Sequence, residues 1–209
     1  MSNVAEFGRD HGLVHEAVVT GRKVGAGQEF WGQLAHNEEL FRRLVEMVLI
    51  SVPITLTSDG TTGEQWISRL EGKGYCVSDY AKFLLRSRAF VPTTGVIYRA
   101  PIIKGSEFKD GERLTARIRE VAAGRGYATP SPEVACLLRE KLSDEELKAM
   151  GLWWLVVMHK PISGPDGNPN LLGVFRDCVG RELSAFYGKP DCVWSREGGF
   201  AFVVSQEGV

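Results

Sequence analysis

Leu152-Trp153-Trp154-Leu155-Val156-Val157-Met158-His159 is a near-continuous apolar run closed by Pro161. A strand that is apolar on both faces is a strand covered on both faces, so this run predicts the centre of a sheet. Phe200-Ala201-Phe202-Val203-Val204 predicts a second strand in that sheet or packed on it. Upstream the periodicity is helical. Ser143-Asp-Glu-Glu146 and Thr62-Gly-Glu-Gln65 fit capping boxes, the second with Trp66, Ile67 and Leu70 as its buried stripe. Ser78 and Asp79 cap a further helix, and Pro132 opens another at its first position.

Further helices are expected over 28–48, with a break near His36 and a fresh cap at Asn37, and from Asp110 through Leu114, Ile118 and Val121. Leu13, Val14, Ala17 and Val18 suggest a shorter helix ended by Gly21, and Pro53 to Thr57 an edge strand or linker. Thr94 to Lys104 reads as a strand that Pro101 confines to an edge or an end. The order implies an α+β chain, with a helical N-terminal half packed on a C-terminal mixed, largely antiparallel sheet. The division is placed at 1–90, a helical N-terminal region, and 91–209, a ligand-binding region, with one continuous domain as the alternative.

At 209 residues, 44% hydrophobic and 24% charged, the chain has the composition of a globular protein with a sizeable core. A formal charge of −1 provides no global field for nucleic acid or an anionic membrane. No apolar run reaches transmembrane length and the start lacks signal-peptide character, so a cytoplasmic or virion-associated home without membrane insertion is expected. Cys76, Cys136, Cys178 and Cys192 form no paired metal spacing, and reduced, unbridged thiols are expected.

Several constellations point to ordinary structure. His159, at a strand end, is expected to cap it rather than act as a base. His11 and His15 lack further ligands for a metal, and Gly21, Gly25 and Gly27 lack the preceding strand that a dinucleotide fingerprint needs. Lys73, Lys82, Arg86 and Arg88, interleaved with Tyr75, Tyr80 and Phe83, read as a solvated helix face before a phosphate contact.

The segment Gly180-Arg-Glu-Leu-Ser-Ala-Phe-Tyr-Gly-Lys-Pro190, followed by Trp194-Ser-Arg-Glu-Gly-Gly199 and Phe200-Ala-Phe-Val-Val204, is polar, aromatic and glycine-punctuated. It reads as recognition loops pinned by a terminal strand. In its order it resembles the end of C-type-lectin-like domains, in the branch shared by formylglycine-generating enzymes and the variable proteins of diversity-generating retroelements. The resemblance covers roughly residues 172 to 205. The chain departs from the pattern at Ala201, where Arg often follows Gly-Phe, and at Val179-Gly180-Arg181-Glu182, where an Arg-Gly-Gly-Ser-Trp run is usual.

The resemblance implies adenine-directed mutagenesis at Asn-type codons. Those codons can become Phe, Ser, Asp, Cys, Val, Tyr, Gly or Arg, but not Lys, Gln, Met, Trp or Glu. On this view Phe175, Asp177, Cys178, Ser184, Phe186, Tyr187, Asp191, Cys192 and Ser195 present a variable ligand-binding surface, with Glu182, Lys189, Trp194 and Glu197 as fixed scaffold. The expected function is non-enzymatic binding of a protein ligand, with no cofactor and no nucleic acid, and with the N-terminal helices serving assembly or docking. The alternatives are a formylglycine-generating-type oxidoreductase using Cys178 and Cys192 on copper, and a nucleic-acid-associated module over 62–88.

Overall fold

In the computed structural model the backbone is described for residues 3–176 and 181–204, and the side chains for those residues apart from 3–11, 46 and 49–51. The chain is α+β. It divides into two compact units, Met1–Val45 and Glu46–Val209. The division drawn from the sequence at residue 90 falls inside the second unit. Trp66, Leu70 and Leu84 share one apolar cluster there with Leu155, Leu172 and Leu183.

The first unit contains α1 (Asn3–Lys23), α2 (Gln28–His36) and the start of α3 (Glu38–Ser51), which runs across the boundary. Asn37 breaks the helical run as its side chain requires: Oδ1 accepts the Leu40 amide at 2.9 Å, which starts a new helix. Glu38–Arg42 and Glu39–Arg43 pair one turn apart on α3. Leu34 is buried, while Phe30, Leu40 and Phe41 remain exposed.

The second unit opens with β1 (Ile54–Asp59), α4 (Gly63–Gly72), β2 (Cys76–Val77) and α5 (Asp79–Leu85). Thr62 and Gln65 make the reciprocal capping box expected of them, and the Ser78 hydroxyl accepts from Ala81 N. Next come β3 (Thr94–Ala100), β4 (Ile102–Lys104), α6 (Thr115–Gly124), β5 (Tyr127–Ala128), α7 (Glu133–Lys141) and α8 (Asp144–Ala149). Pro101, which has no amide to donate, splits the expected strand between two sheets. β3 pairs with β1, and β4 pairs with a C-terminal strand.

The remaining strands are β6 (Trp154–Val157), β7 (Ile162–Ser163), β8 (Pro169–Arg176), β9 (Arg181–Tyr187), β10 (Gly198–Ala201) and β11 (Val203–Val204). The main sheet runs β2-β9-β8-β6-β10-β4, with β7 on β8. Its pairings are antiparallel except β2 with β9 and β6 with β10. β6 is therefore central and wholly buried, as its two-sided apolarity requires, and β10 lies beside it.

Two apolar clusters cover the sheet. Leu155, Val157, Leu172, Val174 and Leu183 face α4, α5 and α7. Trp154, Val156, Met158, Leu171 and Phe200 face Ile118 and Ala122 of α6 together with Trp194. No helix among the described residues is long and apolar enough to cross a membrane.

His159 is buried and structural. Its Nε2 accepts the Leu172 amide at 2.8 Å and its Nδ1–H donates to Lys160 O at 2.7 Å, an arrangement that fixes the neutral ring. Arg119 closes the same strand end by donating to Met158 O and His159 O. Burial, against the Lys160 hydrogen bond, lowers the imidazole pKa from 6.5 to about 4. The unfolded chain then binds a proton near pH 6.5 that the fold refuses until about pH 4. Stability is therefore full above the unfolded value and falls through that window, by about 3 kcal/mol in total. Urea melts between about pH 7.5 and about pH 4.5 check this, and a constant midpoint would exclude a buried neutral ring.

Candidate functional site

The described residues between 181 and 195 are not a free loop. Arg181–Tyr187 forms β9 and pairs with β8 from Asn170↔Tyr187 to Arg176↔Arg181. Period-two alternation sends Leu183 into the cluster under α7, and Glu182, Ser184 and Phe186 toward the opposite face. Ser184 is half-buried opposite Gly173, so it does not stand on a loop tip. A Cβ at Gly173 would sit 3.0 Å from Phe186 Cε2 and 2.7 Å from Leu155 O, so the bare backbone there makes room for the aromatic ring.

Phe186 is half-buried and packs on the aromatic cluster of this face. Its ring centroid lies 5.9 Å from that of Trp154 and 6.3 Å from that of Trp194. Trp194 and Phe200 complete the cluster, each close to Trp154 at 5.2 and 5.5 Å. Phe175 and Cys192 are half-buried against the same cluster. Apolar side chains at a half-covered sheet face gain by packing there, so these three are partly withdrawn from solvent. Asp177 and Cys178 lie outside the described residues.

The stretch after β9 is fastened to the start of α6. Thr115 N donates to Cys192 O and Ala116 N to Pro190 O, so two of the helix's four unpaired first-turn amides are satisfied by this segment. Trp194 N donates to Arg113 O, Arg113 Nε returns a bond to Trp194 O at 3.0 Å, and Leu114 bridges Val193. These bonds hold Arg113 and Leu114 extended, which is why α6 begins at Thr115 and not near Asp110. Trp194 is buried, with Nε1 donating to Thr115 Oγ1 at 2.9 Å.

Much of this strap is exposed: Tyr187, Lys189, Pro190, Asp191, Val193 and Ser195 stand in solvent, Cys192 is half-buried, and Gly188 and Trp194 are buried. Of the expected ligand-binding residues, Tyr187, Asp191 and Ser195 thus stand in solvent. Lys189 Nζ lies 5.1 Å over the Tyr187 ring, and its hydrogen bond to that side chain raises the ammonium pKa. Tyr187 Oη also donates to Asn168 Oδ1 at 3.4 Å, joining the turn at 164–168 to this surface. Lys189 and Val193 were not among the expected contact residues. Gly188-Lys189-Pro190-Asp191 alternates small or apolar with polar residues, a signal for Lys189, whereas Val193 lies within the apolar run Cys192-Val193-Trp194 and had no such signal.

The remaining candidates resolve by their partners. Cys76, Cys136 and Cys192 are free thiols. Burial, then the Asp191 charge, raises the Cys192 pKa, which works against the thiolate that copper chemistry or nucleophilic attack needs. In the 62–88 region Lys73 pairs with Glu140, Lys82 with Glu71 and Arg86 with Glu64. Internal carboxylates thereby occupy the basic groups that a phosphate backbone would need, and Arg88 is the member without an ion pair among the described residues.

Glu133 is buried near the start of α7 and accepts from Thr93 N, Thr93 Oγ1 and Tyr98 Oη. That network ties the β1–β3 pair to α7. No protein-family model, curated protein or solved structure matches the chain.

Proposed function

We propose that this chain is a ligand-binding protein, without enzymatic chemistry, that presents the strap after β9 as a recognition surface for a protein ligand. Tyr187, Lys189, Asp191, Val193 and Ser195 form the contact side. The run of exposed side chains on a backbone bonded to α6 carries this reading. A fixed backbone loses little entropy on binding, and a tyrosine flanked by short polar and apolar side chains gives contact area with adaptable hydrogen bonding.

We further propose that the surface is diversified on a C-type-lectin-like scaffold, as in retroelement variable proteins. Tyr187, Asp191, Val193 and Ser195 all belong to the residue types that adenine mutagenesis can reach, whereas the buried Trp194 does not. Deep sequencing of the gene within one natural population tests this. Substitutions are expected to concentrate at the four exposed codons and to spare those of Trp194 and Gly198. Variation spread evenly over residues 170–204 would defeat the diversification claim, and variation concentrated at Phe186 and Trp194 would defeat the surface assignment as well.

A further inference from the structure

At its opposite face the sheet ends in a row of three side chains from adjacent strands. Arg176 on β8 is directly opposite Arg181 on β9. One step beyond the Trp154↔Phe175 pair, Trp153 lies across from Arg176, whose amide donates to Trp153 O at 2.9 Å. Trp153 N donates in turn to Glu197 O at 2.9 Å, so the indole is anchored on both sides of its backbone. Trp153 is nevertheless 51% exposed. The Arg176 guanidinium stacks over its ring at 4.3 Å from the centroid.

The charges in this row are not balanced. Directly opposed like charges on neighbouring strands are destabilising, with Cβ atoms only about 5 Å apart. A third guanidinium, that of the fully buried Arg139, lies close enough to Arg181 for the two to repel, and it is matched by Asp144 at 3.0 Å. Among the described residues Arg181 pairs with Glu145 alone, at 3.8 Å, with that carboxylate side chain 79% exposed. Arg176 has no acidic partner among the described residues, and its Nε is buried without a hydrogen bond. The described residues therefore set a cation pair beside an exposed indole with one loosely held carboxylate.

We propose that Trp153, Arg176 and Arg181 form a docking site for an acidic peptide segment of a partner protein. The segment's carboxylates bind the two guanidinium groups and a neighbouring apolar side chain covers the indole. Arginine's planar fork suits carboxylates, and tryptophan and arginine are the residues that dominate protein contacts. Glu145 occupies the position of a partner carboxylate and competes with it. The row shares its sheet face with Leu172, Val174 and Leu183, and Arg181 lies at the end of β9 opposite to Tyr187, which pairs with Asn170.

The test uses the full chain, isotopically labelled, titrated with the peptide acetyl-Leu-Glu-Glu-Leu-Glu-Glu-amide while the indole N–H resonance of Trp153 is followed. Trp153→Phe identifies that resonance. A saturable shift that weakens with added salt is expected, and the same peptide with Gln for Glu should give none. Arg176→Gln should weaken the peptide about tenfold, and Glu145→Gln should tighten it about threefold by freeing Arg181.

No saturable shift, or an equal response to the Gln peptide, overturns the proposal. So does an Arg176→Gln protein that melts like the parent and binds undiminished. Inorganic phosphate displacing the peptide at equal concentration would also overturn it, by assigning the row to a phosphate ligand. Should Arg176→Gln fail to fold, Glu145→Gln decides: unchanged or weaker binding there rejects the site.

Discussion

Replacing Trp194 with alanine is expected to cost about 3–5 kcal/mol of unfolding free energy, the range for emptying a buried aromatic site. The indole is buried between Trp154 at 5.2 Å, Phe200 at 5.6 Å and Phe186 at 6.3 Å, rings that cannot collapse into the space together. Its removal also leaves the buried Thr115 hydroxyl without the Nε1–H it accepts, adding toward the upper end. Phe202→Ala, equally buried, should fall in the same range.

Phe186→Ala should cost about 1–2 kcal/mol, because its ring is only half covered, and Tyr187→Ala or Ser195→Ala about 0.5 kcal/mol or less. Denaturant melts of the five variants measure the gradient. A Trp194→Ala loss below about 1 kcal/mol, or a Phe186 loss equal to it, would show that the aromatic wall does not hold the strap.

The second large effect is Gly198→Ala. A Cβ there would lie 1.9, 2.0 and 2.2 Å from the Cη2, Cζ2 and Cζ3 atoms of Trp154. Neither side can give way. The indole is fixed among Phe186, Trp194 and Phe200, and β10 is held by β6 on one side and β4 on the other. A loss of about 3 kcal/mol or more is expected for so small an addition, at or beyond the upper end of the overpacking range. Trp154→Leu should relieve part of it, so the double variant should be more stable than the two single losses predict, by at least about 1 kcal/mol. Strict additivity would mean that the ring and the glycine do not meet.

Elements with local chemistry were legible in the chain itself. The Thr62 and Ser143 capping boxes, the Asn37 break and the central β6 all appear where side-chain type and spacing put them. Each depends on contacts within a few residues, or on apolarity so continuous that only a covered position satisfies it. β9 was legible too, but in a different pattern. Arg181-Glu-Leu-Ser-Ala-Phe-Tyr187 alternates, with Leu183 and Ala185 packed on one cluster and Phe186 on the other, whereas its polar composition suggested a loop. Composition averaged over both faces hides a strand whose covered side is short.

The start of α6 and the roles of the strap residues were decided only in three dimensions. Nothing near Asp110 forbids a helical turn, and α6 starts only at Thr115 because Trp194 and Cys192, some eighty positions away, bond Arg113 O and Thr115 N on either side of the Leu114–Val193 bridge. Phe186 and Tyr187 are neighbours in a chain that offers no local reason to treat them differently. Pairing with β8 turns one toward Trp154 and the other toward solvent. By itself, then, the sequence determined the α+β class, the helix caps and the central strand, because those arise from local hydrogen bonding and continuous apolarity. The tertiary structure decided which aromatic residues are wall and which are surface, and set Trp153 beside two opposed arginines. Strand register is a long-range property, and a shift of one residue would exchange every one of those assignments.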